Sequence, residues 1–327
     1  MATDNSLAAR AAWLSYVGGL TQSEVAKRLD VSSTKAHRLI GQAQKAGLVR
    51  VFIDEVPAEC VELEEFIASH FSLNTCTVAP DIDDSIHEDP SRAFNAVGVA
   101  AARRLHAMLI SAEGQILIGV GKGRSLTAMV RSLPKMQRPD SRFVAVSGSL
   151  TRNLSANPYD VVHNLVERTG GEGFFLPVPY IASSIEEQKL LKAQKSVQDM
   201  ISLGREADAY VIGIGAIGDD ALVNAHIRET RMVSEDEWRE LRNKMAVCDI
   251  MGSFVDINGS SVDSYINKLA LGLGLDEVSG RKVMAVVGGH GKDVAVLAAL
   301  RTGVITDLVV SEEIANGLKK LLLKEAA

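Results

Sequence analysis

The stretch TQSEVAKRLDVSSTKAHRLIGQAQKAG, Thr21 to Gly47, decides how the N-terminus folds. Thr21 and Glu24 stand in the S/T-x-x-E spacing of a capping box, so a helix is expected to start at Gln22. Val25, Ala26 and Leu29 then fall on one face at helical spacing. Asp30-Val31-Ser32 interrupts the pattern, and a second helix is expected from Ser32 or Ser33. Ala36, Leu39, Ile40 and Ala43 form its inner face, and Gly47 is placed to end it as a C′ residue. Two short helices joined by a tight turn make a helix-turn-helix. Ala26 is small enough for a close helix crossing, and Val31 is an apolar plug after the turn. Asp30 takes the turn position that needs a left-handed backbone, which Asp enters more easily than most residues. Leu7 to Val17, with Trp13 and Leu14, is expected to complete a three-helix core, and Leu48–Ile53 reads as a short strand, a wing.

The outer face of the second helix carries Ser33, Thr34, Lys35, His37 and Arg38, donors suited to base edges and phosphates in a major groove. Thr21, Gln22 and Ser32 sit at the two helix starts, where the positive end of the helix dipole favours phosphate. These eight residues are the candidate DNA contacts. Charge supports the division. Residues 1–50 hold seven Lys/Arg against three Asp/Glu, a balance of +4. The chain of 327 residues carries −6, so residues 51–327 carry −10. A basic head on an acidic body confines contact with a polyanion to one face.

The composition, 46% hydrophobic and 23% charged, is that of a soluble globular protein with a sizeable core. Cys60, Cys76 and Cys248 match no zinc or redox spacing, and their odd number argues against a disulfide framework. Met1 to Arg10 lacks the pattern of a signal peptide. No apolar run approaches the ~20 residues of a membrane helix. A cytoplasmic location without membrane, metal or cofactor is therefore expected.

Beyond a link at 55–74 with a helix at 60–71, strands and helices alternate. Strands are expected at 75–79, 115–120, 142–147, 173–176, 208–214, 250–256, 282–288 and 307–310. Helices are expected at 91–111, 124–133, 159–170, 185–203, 234–246, 290–302 and 311–325. Such alternation indicates a mostly parallel sheet covered on both faces, with ligands bound at the carboxyl ends of its strands. Four loops there carry chemistry. Gly121-Lys122-Gly123-Arg124-Ser125 combines close-approach glycines with two cations at a helix start. Ser147-Gly148-Ser149, with Asn153, offers hydroxyl and amide groups. Gly213-Ile-Gly215-Ala-Ile-Gly218 matches G-x-G-x-x-G, but Asp219 and Asp220 follow it and would repel a pyrophosphate. Gly289-His290-Gly291-Lys292 places a lysine at another helix start.

Taken with these motifs, the N-terminal run AARAAWLSYVGGLTQSEVAKRLDVSSTKAHRLIGQAQKAGLVRVFI resembles the SorC family of bacterial sugar-responsive regulators, especially members that govern polyol catabolism. The resemblance continues through GVGKGRSL, FFLPVPYIA, ADAYVIGIGAI, FVDING (Phe254–Gly259) and GGHGKDVAVLAALRTGVITDLVVSEEIA. It implies an all-α, winged helix-turn-helix domain (1–54) and a large α/β effector domain (75–327) related to sugar-phosphate isomerases. It also implies a homo-oligomer, dimer or tetramer, that binds double-stranded operator DNA and a sugar, polyol or sugar-phosphate effector. Carried across, the family's effector loops point to Gly121, Arg124, Ser125, Ser147, Ser149, Asp256 and Lys292. The loop chemistry adds Lys122, Gly148, Asn153, Gly213, Gly215 and Gly289. Asp256 suits vicinal hydroxyls, since a carboxylate can accept from both. Val120, Ser125 and Ser311 replace the family's usual aromatic, Thr and Asp.

Two enzymatic readings compete. An isomerase-type enzyme would need a positioned carboxylate, with Asp256 or the Asp219/Asp220 pair as candidates. An oxidoreductase would rest on residues 213–218 alone. No nucleophile elbow or metal constellation supports either.

Overall fold

The computed structural model describes residues 2–46, 48–49, 57–81, 94–148, 161–218 and 233–326. The chain divides into two compact units, Met1–Glu55 and Val56–Ala327.

The small unit holds α1 (Ala2–Ala12), a π-helical turn (Trp13–Val17), α2 (Gln22–Leu29) and α3 (Ser33–Lys45). Thr21 caps α2 reciprocally with Glu24, whose carboxylate accepts from the Thr21 amide at 2.8 Å and hydroxyl at 2.7 Å. Asp30 ends α2 in the left-handed region, φ 52° and ψ 50°. The Val31 amide then donates to the Ala26 carbonyl at 3.0 Å, a bond that tucks Val31 toward the core. Ser32 caps α3 by accepting from the Lys35 amide at 3.2 Å. Val25, Ala26, Ala36, Leu39, Ile40 and Ala43 are buried as the periodicity requires. The third helix joins them through Ala8, Ala11 and Ala12. Trp13 departs from expectation: it is 67% exposed, because alanines already fill the narrow gap against α3. Leu48 and Val49 form no strand; Gly47 and the rest of the expected wing lie outside the described residues.

The larger unit is built on β1 (Thr75–Ala79), β2 (Ile116–Val120), β3 (Ser141–Ala145), β4 (Glu172–Phe174), β5 (Ala209–Gly213), β9 (Lys282–Val287) and β10 (Asp307–Ser311). These seven strands form one sheet, in the order β1-β10-β9-β5-β2-β3-β4, and every described pairing in it is parallel. β2 and β10 are buried at every position, as a sheet covered on both faces demands. The order reverses at β2: β3 and β4 extend to one side, β5 and β9 to the other. One cluster, with Ile118, Leu126 and Phe143, packs on one face; another, with Leu63, Tyr210 and Leu318, packs on the opposite face. The helix Ala58–Phe71, read above as a link, enters that second cluster through Cys60, Leu63 and Ile67.

Two expectations need correction. The strand expected at 250–256 is an antiparallel hairpin, β7 (Cys248–Ile250) and β8 (Ser253–Val255), which joins β6 (Gly215–Ala216) in a second sheet. Met251 and Gly252 turn it with φ of 55° and 87°. The helix expected at 185–203 is two, Ile185–Ala193 and Lys195–Arg205, broken where Gln194 takes an extended ψ of 132°. Among the described residues no helix is long and apolar enough to cross a membrane.

Candidate functional site

A cavity opens where the strand order reverses, at the carboxyl ends of β2, β3, β5 and β9. That is where open parallel sheets bind ligands. Its lining comes from five loops: Gly121–Ser125 after β2, Ser147 after β3, Ile212–Ala216 around the end of β5, Asp249 and Met251 of the hairpin, and Lys292 after β9, with Tyr180 completing it.

Glycine makes this convergence possible. Gly123 starts the helix Arg124–Ser132 with φ 123° and ψ 172°, a conformation strained for any residue with a Cβ. A Cβ on Gly213 would come within 2.9 Å of the Lys122 carbonyl. The G-x-G-x-x-G match therefore reflects loop packing. Its Gly215 begins β6, a strand paired to β7, so among the described residues the motif opens no helix of the kind a pyrophosphate would need.

The polar groups form two sets. At one end the Asp249 Oδ1 accepts from the Tyr180 hydroxyl at 2.7 Å and from the Gly252 amide at 3.1 Å. The Lys122 ammonium lies 3.0 Å from the centre of the Tyr180 ring. Burial raises the Asp249 pKa, against the Tyr180 hydrogen bond and the Lys122 charge. Burial lowers the Lys122 pKa, and Asp249 opposes that shift. Tyr180 is pushed up by burial and by Asp249, which keeps its hydroxyl a donor. At the other end Arg124 stacks on Phe94, 4.9 Å from the ring centre. Lys292 is 8% exposed and donates to the Ile214 carbonyl at 3.4 Å. Burial first, and the Arg124 charge second, bring its pKa down to about 8.

The cavity gathers eight expected residues: Gly121, Lys122, Arg124, Ser125, Ser147, Gly213, Gly215 and Lys292. Ser125 has its hydroxyl engaged, accepting from the Gly288 amide at 3.0 Å. Three described residues are not in the lining. Asp256 accepts from the Asn258 and Ser260 amides at 2.9 and 3.0 Å, so its carboxylate closes its own turn. Gly148 is pressed against the Pro179 carbonyl. Gly289, at φ 93°, bends the chain beside Phe94 and the Lys292 side chain. Ser149, Asn153, Asp219 and Asp220 lie outside the described residues. Sequence reasoning missed Asp249 and Tyr180. The signal for Asp249 was Gly252 inside an apolar run, which marks a turn rather than a continuous strand. Tyr180 carried no comparable mark.

In the small unit, Thr21, Gln22, Ser32, Ser33, Thr34, Lys35, His37 and Arg38 are all exposed. Gln22 and His37 meet at 3.0 Å and tie α2 to the outer side of α3.

The chain thus holds a helical unit and a parallel-sheet unit whose cavity, at the reversal of strand order, is polar and rich in cations. The profile of the sugar-binding-domain family matches residues 56–320. The chain belongs to this SorC/DeoR-type sugar-binding family. It is 36% identical to the erythritol catabolism regulatory protein EryD of Brucella abortus over 315 residues, 96% of each chain. It is 31% identical to the transcriptional regulator LsrR of an Enterobacter species over 322 residues, 98% of this chain and 94% of that one. The full-length sorbitol operon regulator SorC of Klebsiella pneumoniae shares the fold, with a TM-score of 0.71 and 23% identity over 95% of this chain and 97% of that one. With such relatives the chain is a transcriptional regulator, and the isomerase-type alternative gives way.

Proposed function

We propose that this regulator binds double-stranded operator DNA through α2 and α3 as a helix-turn-helix, in the cytoplasm and as a homo-oligomer, under control of a short polyhydroxylated effector seated in the cavity. The observation that carries the effector reading is the convergence of Asp249, Lys122, Lys292 and Arg124 at the reversal of strand order. Asp249 keeps acceptor capacity for ligand hydroxyls. Arg124 and the start of the helix it opens suit an anionic group where the effector has one.

Size narrows the class. The cavity volume is about 60 Å³. A pocket of that size, lined by a carboxylate and three cations, suits a small hydroxylated molecule. A four-carbon polyol such as erythritol, named in the Brucella relative, or its monophosphate fits this description. On the DNA side the proposed contacts are the eight exposed residues at the starts of α2 and α3. Two copies are needed because half-sites lie roughly 34–36 Å apart, one duplex turn. A dimer or tetramer meets that need.

Thermal unfolding with erythritol, its phosphate and inorganic phosphate tests the effector reading. An effector at 100 times its dissociation constant should stabilise the chain by about 2.7 kcal/mol. If no four-carbon polyol or polyol phosphate shifts the transition, the reading is wrong.

A further inference from the structure

Lys292 differs from the cavity's other cations in its surroundings. Lys122 answers to Asp249, and Arg124 stacks on the Phe94 ring at 4.9 Å, which the Lys292 Nζ faces from farther off, at 5.8 Å. Lys292 is buried, it donates to the Ile214 carbonyl at 3.4 Å, and the charge acting most strongly on it is the like charge of Arg124. The cavity wall thus holds a buried primary amine under the influence of Arg124 and of Cys248, the neighbour of Asp249.

We propose that Lys292 is a carbonyl-capture site, whose Nζ forms a reversible imine with the open-chain aldehyde or ketone of a short sugar seated in the cavity. The proposal rests on the reading that the cavity seats a short hydroxylated chain. Hydroxyls on Asp249 would orient such a chain along the cavity, with its carbonyl carbon toward Lys292. The Nζ lone pair adds to that carbon, and the carbonyl electron pair moves onto oxygen. The oxygen takes a proton that the nitrogen gives up through cavity water, leaving a carbinolamine. Loss of this hydroxyl with the remaining N–H proton releases one water and leaves the C=N bond. No oxidant or reductant is consumed, and hydrolysis reverses the step. A fully reduced polyol has no electrophilic carbon and binds without this bond.

Desolvation and a neighbouring cation are the two ways a protein activates a lysine nucleophile. With a pKa near 8 against the usual 10.5, Lys292 holds roughly two orders of magnitude more neutral amine at pH 7 than an exposed lysine does.

The experiment treats the full chain with the four-carbon aldose erythrose and cyanoborohydride, which traps an imine as a secondary amine. Intact mass and peptide mapping then locate the product. One addition, equal to the tetrose less one oxygen atom, is expected on Lys292, at least about tenfold above any exposed lysine given the difference in neutral amine. Excess erythritol should suppress it, and Lys292→Arg should abolish it while the variant melts cooperatively. Labelling spread over exposed lysines, unchanged in Lys292→Arg, overturns the proposal. A parallel melt with erythritol separates the two readings. Stabilisation by erythritol without an adduct on Lys292 removes only the covalent step. An adduct on Lys292 without stabilisation by erythritol keeps the capture site and removes the polyol effector.

Discussion

On α3 of the small unit, Lys35 and Arg38 stand in solvent at the outer face, whereas Lys292 is sunk in the wall of the larger unit's cavity. The same charge therefore meets different physics. Exposed cations keep their hydration, interact through water and lose reach as salt rises, with a Debye length near 8 Å at physiological ionic strength. Buried cations have lost hydration, so their protonation depends on immediate neighbours. The first arrangement suits a polyanion that arrives from solution, and the second a small ligand that replaces the missing water. Mutations and pH should act on the two regions in different ways.

The largest effect is expected at the buried end. Asp249→Ala leaves Lys122 in the cavity without its carboxylate and the Tyr180 hydroxyl without its acceptor. Leaving the buried Tyr180 hydroxyl without its acceptor costs about 1–3 kcal/mol, and more where a charged group is involved. Urea unfolding should show a loss of that size, together with loss of any polyol response. A cost under about 1 kcal/mol, the range of exposed pairs, would mean that Lys122 is hydrated and the contrast between the regions is false.

Next comes the exposed face. Arg38→Ala should weaken operator binding by about 1–3 kcal/mol if the side chain reads a base, or lower the salt slope by about 1 if it touches phosphate. Fluorescence anisotropy at several salt concentrations distinguishes these. The thermal response to erythritol should not change, because Arg38 belongs to the other unit. A variant that loses both responses would show that the two regions do not divide the work.

How much of this contrast was visible beforehand differs between the regions. The small unit was legible because its signals are local: the Thr21/Glu24 spacing, the Asp30 turn and the apolar period all lie within one stretch, and each took its expected place. Trp13 failed because size alone does not tell which face of a helix meets a core already filled by alanine. In the larger unit most strands fell close to their expected positions, since fully buried strands leave continuous apolar runs. The cavity was harder to read. Lys122, Arg124 and Lys292 could be found because glycines and helix starts mark their loops. Asp249 could not, because its place in the cavity depends on a hairpin that pairs with β6 from residues distant in sequence. Asp256, in a conspicuous Asp-x-x-Gly turn, attracted the role proposed above for Asp249, seven residues earlier.

A pH series sharpens the comparison with a smaller effect. Lys292 has a folded pKa of about 8, below its ordinary 10.5. Between those values the unfolded chain binds the extra proton, so stability should rise as pH climbs from about 8 toward 10.5 and fall on the way back. The slope is on the order of 1 kcal/mol per pH unit. Other groups titrate there too, so the measurement is the difference between the chain and Lys292→Met, whose profile should lack this component. Lys35→Met, in solvent, should leave the slope intact. Equal slopes in the chain and Lys292→Met would place Lys292 in water.

The smallest effect tests whether the small unit's charge is presented by its fold. Thr21 accepts from the Glu24 amide, and Glu24 accepts from the Thr21 amide and hydroxyl. The Thr21 hydroxyl and amide hold the Glu24 carboxyl below the usual carboxylate range. Thr21→Ala removes the side-chain half of this exchange and should cost the unit about 1 kcal/mol, as capping losses do. Because the Glu24 pKa is depressed when folded, the cap's contribution is present above the unfolded carboxylate range and fades as pH falls through the folded value. The gap between the chain and Thr21→Ala should therefore narrow in acid, down to the part that the Glu24 amide's bond to the Thr21 hydroxyl supplies at any pH. Hydrogen exchange in α2 reads the local loss, and peptides around β2 and β5 serve as the internal control. Exchange that rises in α2 while those peptides stay protected, with DNA affinity reduced less than by Arg38→Ala, would show that the cap positions the face and the cations on it do the binding. An unchanged α2 would mean that packing through Val25 and Ala26 alone fixes the helix start.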